Sequence, residues 1–145
     1  MRIVLMFIIM LFLHVFADYH LQGILAQMKQ ADKWPKKYRP SDPFANVSMY
    51  RNDYKAALAA HAFEWAFVIT LPCLFGIYNE CADFSIDSAW IASVYIMLLM
   101  ISAILHYIID DLKANDHKIS LVEDQLFHVS QIILVCVGWA LWIGW

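Results

Sequence analysis

The chain has 145 residues, of which 62% are hydrophobic and 16% charged, where a soluble domain carries roughly a quarter charged residues. So thin a polar coat excludes an ordinary soluble domain, three well-separated cysteines exclude a disulfide scaffold, and a net charge of −3 argues against a nucleic-acid partner. What remains is an integral membrane protein with room for four spans of about 20 residues and for no separate soluble domain.

Four apolar runs lie along the chain, at about 3–25, 56–78, 89–109 and 125–145. Each is long enough to cross the hydrocarbon as a helix and too long for a barrel strand. The expected fold is therefore all-α, a single polytopic four-helix transmembrane bundle. Arg2, a short apolar stretch and Val15-Phe16-Ala17 also imitate a signal peptide. The span reading is preferred, because cleavage would remove His14.

Nine of the ten basic residues fall in two stretches: Lys29, Lys33, Lys36, Lys37, Arg39, Arg51 and Lys55 in one, Lys113 and Lys118 in the other. Four spans put both stretches on one side, and the positive-inside rule makes that side cytoplasmic. Both termini then face outward, in an inner or plasma membrane; Arg2 alone sits on the wrong side.

The 28–55 segment carries Trp34-Pro35, Arg39-Pro40 and Asp42-Pro43, so it is not one helix. Trp34, Tyr38, Phe44 and Tyr50 alternate with its cations, which suits a basic segment lying on anionic headgroups. An ordinary solvated loop is the plainer alternative. Trp139, Trp142 and Trp145 read as an aromatic belt at the opposite interface.

Three residue pairs share one spacing: His14 with Asp18, His106 with Asp110, and Asp124 with His128. Positions i and i+4 share a helix face, so each pair turns an imidazole and a carboxylate toward one neighbour. Gln22 extends the first stripe, Ser102 the third, and the second span adds His61 and Glu64. With the topology above, all of these fall in the cytoplasmic half of their spans. One core layer of a bundle can bring them together.

Ionisable groups at membrane depth are costly and should face inward and be paired. Three carboxylates among neutral imidazoles would leave about three negative charges, which divalent cations balance. The expected metal ligands are His14, Asp18, His61, His106, Asp110, Asp124 and His128, holding one or two ions. Imidazole with carboxylate and no thiolate suits Zn first, with Mn, Fe or Ni as alternatives. A metal-free polar network and a proton or ion path are the competing readings. His20, His117, Cys73, Cys81, Cys136, Met97 and Met100 are expected to be bland.

The combined motif is similar to an uncharacterised domain-of-unknown-function family of small bacterial and phage membrane proteins. The likeness lies in Ala17-Asp18-Tyr19-His20-Leu21-Gln22 after His14, in Lys29 and His61, in His106-x-x-x-Asp110-x-x-Lys113 and in Asp124-Gln125-x-x-His128. It covers the chain in order, apart from the long Pro-rich segment between Lys29 and His61. The resemblance implies an inner-membrane protein and carries no activity with it.

Function therefore rests on the residues. A metal-dependent hydrolase would use bound hydroxide on a lipid headgroup, a lipid-linked phosphate or a membrane-proximal peptide. Glu64 or Asp18 would be its general base, and Lys113 would hold an anionic group. The alternatives are a divalent-cation or proton transport or sensing module, and a non-catalytic partner of a host membrane protein. Homo-oligomerisation is compatible with each.

Overall fold

The computed structural model describes residues 2–33, 51–82 and 88–143, and in these the side chains of 76–82, 88 and 143 are excepted. Trp34, Tyr38, Phe44, Tyr50, the side chain of Cys81 and Trp145 lie outside that range, as does most of the basic segment. The described residues are helical with no strand. In order they form α1 (Arg2–Phe16), a π-helical turn (Ala17–Leu21), α2 (Leu25–Met28), α3 (Asp53–Ala82), α4 (Ser88–Ala114) and α5 (Leu121–Ile143). Four stretches are long and apolar enough to cross a membrane: Arg2–Leu21, Asp53–Phe75, Ala89–Ala114 and Leu121–Trp142.

The helices close into a ring. α1 packs on α3 and α5, and α4 packs on the same two, so α1 and α4 stand across the diagonal. Met6, Met10, Trp65, Ile69, Ile91, Val94, Ile132 and Val135 fill the apolar part of the interior. Phe12, Phe75, Leu134 and Leu141 point outward and are more than half exposed, the distribution expected of a helix bundle in lipid.

Helix ends depart from the apolar runs, for local reasons. The first run does not continue as an α-helix to Leu25. From Ala17 the bonding loosens to i→i+5, with the Gln22 amide donating to the Ala17 carbonyl, and Gly23 then turns the chain at φ +47°. Glycine reaches that region without steric cost. α4 runs past Ile109 to Ala114, carrying Asp110 and Lys113 on the same turn of face. α5 starts before Gln125 because Ser120 and Glu123 form a capping box. The Ser120 amide donates to Glu123 Oε2 at 2.7 Å, and the Glu123 amide donates to Ser120 Oγ at 3.2 Å.

The 115–120 connection is tight, with His117 left-handed at φ 53° and the Lys118 amide donating to the Leu112 carbonyl. Exposed Lys118 pairs with Asp116 at 2.7 Å, which holds its ammonium above the usual lysine range. Trp139 is fully buried in the core and so does not join an interfacial belt. Trp142 is half exposed and stacks on Trp90, ring centroids 5.9 Å apart and planes 7° apart. Cys73 and Cys136 are buried, and Cys136 Sγ lies 3.3 Å from Met10 Sδ.

Candidate functional site

The polar positions of the four long helices meet in one layer, at the end of the bundle shared by α2 and the 115–120 connection. His14, His61, His106 and His128 are each at most 2% exposed. Ring centroids lie 4.3 Å apart for His106 and His128, 5.1 Å for His61 and His106, and 5.5 Å for His14 and His128.

Asp110 is the hub. Its Oδ2 lies 3.4 Å from His61 Nε2 and 3.6 Å from His106 Nε2, and its Oδ1 lies 3.5 Å from His128 Nε2. Asp124 Oδ1 approaches the same His128 nitrogen at 3.3 Å, and Asp18 Oδ1 stands 3.9 Å from His61 Nε2. The i, i+4 spacing on α4 and α5 brings each carboxylate beside its own imidazole. The ring of helices brings it beside the others.

Two sets of side chains have ligand atoms within 4.8 Å of one another: Asp18, His61 and His106, and His106, Asp110 and His128. His106 belongs to both. Ligands about 2.1 Å from a tetrahedral Zn are about 3.4 Å apart, close to the separations of His61 Nε2 from His106 Nε2 (3.3 Å) and Asp18 Oδ1 (3.9 Å) and of Asp110 from His106 (3.6 Å) and His128 (3.5 Å). The donor types fit a borderline divalent metal.

Hydrogen bonds assign two imidazoles. The Trp65 indole can only donate, and its Nε1–H reaches His14 Nδ1 at 3.0 Å. His14 Nδ1 is therefore the bare nitrogen, and His14 Nε2–H donates to Gln125 Oε1 at 3.1 Å. Both nitrogens of His14 are occupied, and His14 joins neither ligand set. It orients Gln125, whose amide in turn donates to Asp124 Oδ2 at 3.0 Å and to Asp18 Oδ2 at 3.4 Å.

Gln22 assigns the second. Its Nε2 donates to the Asp18 carbonyl at 3.1 Å and lies 3.3 Å from His61 Nε2. An amide nitrogen cannot accept, so His61 Nε2 carries a lone pair. That lone pair accepts from Gln22, and Asp110 Oδ2, Asp18 Oδ1 and His106 Nε2, the last at 3.3 Å, stand close around the same nitrogen.

Two lysines change the charge count. Lys29 is buried, and its Nζ lies 2.5 Å from Asp110 Oδ2. Lys113 Nζ lies 2.5 Å from Asp124 Oδ2, and Asp124 is fully buried. Three carboxylates against two ammonium groups leave one formal negative charge with neutral imidazoles, where composition alone suggested three. Asn115 seats Lys29: its Oδ1 accepts from the Ala31 amide at 2.8 Å, and its Nδ2 donates to the Lys29 carbonyl at 3.2 Å. The chain after α2 is thereby pinned to the end of α4.

Glu64 stands apart. It is half-buried, and it joins none of the described hydrogen bonds or ion pairs of the cluster. Trp65, four residues after His61, takes the inward face instead. Lys113 is engaged with Asp124. Trp65, Lys29, Gln125 and Asn115 were not foreseen as site residues. Trp65 had a signal, its i+4 spacing from His61; Lys29 and Gln125 stood in the combined motif without an assigned role, and Asn115 had no signal.

A cavity of about 380 Å³ opens beside the layer. Asp18 and Asp110 line its inner part, with Gln22, Lys29, Lys113 and Gln125 around them and His117 and Leu121 toward the loop end. His20 and His117 are exposed and take no part in the cluster. No family model, curated protein or solved structure matches the chain.

Proposed function

We propose that this is a small membrane protein that holds a divalent transition metal, Zn first, in the His/Asp layer, and uses it to hydrolyse a headgroup-sized substrate that enters from the cytoplasmic face. The observation that carries the metal reading is the pair of ligand sets sharing His106, with His61 Nε2 unprotonated and within 3.9 Å of two carboxylates. The adjoining cavity supports the hydrolytic reading, because it reaches Asp18 and Asp110 and lies within the ~300–1,000 Å³ range of ligand pockets.

A bound divalent ion supplies hydroxide near neutral pH. His61, His106, His128, Asp18 and Asp110 are the ligands in this reading. His14 and Gln125 orient the carboxylates, and Asp18, at the edge of the cavity, is better placed than Glu64 to hold a proton during attack by water. The positive-inside rule, applied to the basic residues of 28–55 and to Lys113 and Lys118, supports a cavity that opens to the cytoplasm.

One observation favours a second reading. The Lys29–Asp110 and Lys113–Asp124 pairs already balance most of the charge, as a metal-free structural network would require. Elemental analysis of protein purified without chelator, repeated after incubation with Zn, Mn, Fe and Ni, separates the two. Stoichiometric metal supports the centre, and phosphomonoester and lipid hydrolysis assays of the loaded protein then test catalysis. A chain that stays metal-free under all four ions is a polar network.

A further inference from the structure

The buried cavity lysine poses a problem that a metal alone does not resolve. Lys29 lines the cavity and holds Asp110 Oδ2 at 2.5 Å. That carboxylate belongs to the His106–Asp110–His128 set, and the same oxygen faces His61 and His106. An ammonium there competes with a metal both for the oxygen's lone pairs and by charge. Lys113 lines the same cavity and holds Asp124 Oδ2, while Asp124 Oδ1 faces His128. The two cations of the cavity are thus tied to the carboxylates of the metal layer, one carboxylate each.

We propose that the cavity takes a phosphate group on Lys29 and Lys113, and that phosphate and metal bind cooperatively because each frees the groups the other needs. A phosphate drawing Lys29 off Asp110 releases a ligand oxygen. A metal drawing Asp110 onto itself releases an ammonium. The imidazole of exposed His117 also lines the cavity and can donate to a phosphate oxygen. Lysine binds phosphate as a point charge, and two of them in one cavity suit a dianionic monoester. The inference rests on the metal reading above and names the ligand class of the same site.

Coupling of this kind is reciprocal: the factor by which phosphate raises metal affinity equals the factor by which metal raises phosphate affinity, typically about 5- to 150-fold. The full chain in nanodiscs is titrated with Zn, free Zn being set by a chelator buffer so that phosphate's own hold on the ion drops out. The arms are phosphatidylcholine discs alone, the same discs with inorganic phosphate, and discs containing phosphatidic acid, all at matched ionic strength. The expected result is Zn affinity at least about 5-fold higher in one or both phosphate arms. A gain with phosphatidic acid alone assigns the group to a lipid headgroup, and a gain with inorganic phosphate assigns it to a free phosphate.

Lys29→Gln should raise Zn affinity in the plain discs and erase the phosphate gain. Lys113→Gln should reduce the gain, and Lys118→Gln, outside the cavity, should leave it unchanged. Wild-type reciprocity, read as phosphate binding with and without Zn, tests the proposal even if Lys29→Gln does not fold. Equal Zn affinity in all three arms overturns the coupling and leaves the metal centre standing. No Zn binding in any arm overturns both.

Discussion

Trp65 lies nearly flat on His106, ring centroids 4.2 Å apart and planes 17° apart, while its indole nitrogen donates to His14. One fully buried side chain therefore holds two imidazoles of the layer, one through its face and one through its edge. Trp65→Phe keeps much of the ring contact and removes the donor, leaving His14 Nδ1 buried without a partner. It should cost about 1–3 kcal/mol of stability. Trp65→Ala also opens a cavity and should cost about 3–5 kcal/mol. Denaturant unfolding in detergent checks the order; a Phe variant as stable as wild type would remove the assigned role of the indole N–H.

His106 and His14 should respond differently to substitution. His106 belongs to both ligand sets and His14 to neither. His106→Gln should abolish stoichiometric metal. His14→Gln should retain the ion with about 10- to 100-fold weaker affinity, the range seen when a group supporting a ligand is lost. Equilibrium dialysis of the two variants beside wild type measures this. Equal loss in both would place His14 among the ligands.

Metal binding should weaken as pH falls. Each ligand set contains two imidazoles, and only the neutral ring ligates. Protons compete with the ion for each ring once the pH falls to where that ring charges in the folded chain. Binding releases those protons, so the affinity falls with acidification, approaching two decades per pH unit where both rings must be deprotonated. Zn titrations at several pH values read the slope. An affinity that does not fall at any pH down to the point where the chain unfolds would mean that imidazoles are not the ligands.

Gln131 is buried on α5 three residues after His128, and neither amide atom has a hydrogen-bond partner among the described residues. Gln131→Leu should raise thermal stability by about 1 kcal/mol or more, since it removes a buried polar group that contributes no bond. Metal content should not change. A lower melting temperature would show that the amide has a partner in the membrane.

Orientation is testable without the site. With the basic stretches cytoplasmic, a reporter fused after Trp145 should be active only if it needs an extracytoplasmic location. Activity of a cytoplasmic reporter at that position would invert the bundle and move the cavity mouth to the other face.

The all-α character and the four apolar stretches were legible in composition and run length, because lipid leaves a spanning backbone few other solutions. The three i, i+4 His/Asp pairs were legible too, since helix periodicity alone puts each pair on one face. The run lengths misjudged the helix ends. Ser120 and Glu123 start α5 early through local hydrogen bonds, and Gly23 ends the first span early through its positive φ. The tertiary structure alone decided which neighbours each pair meets. Lys29 reaches Asp110 across 81 positions of sequence because Asn115 pins the chain after α2 to α4, and His14 meets Trp65 and Gln125 because α1 packs between α3 and α5. Glu64 and Trp65 are adjacent in sequence, yet only the packing of α3 turned the indole inward and left the carboxylate half-buried at the side. The charge balance of the layer is settled in the same way. Counting residues yields three carboxylates, but which cations stand beside them depends on long-range contacts that no local spacing encodes.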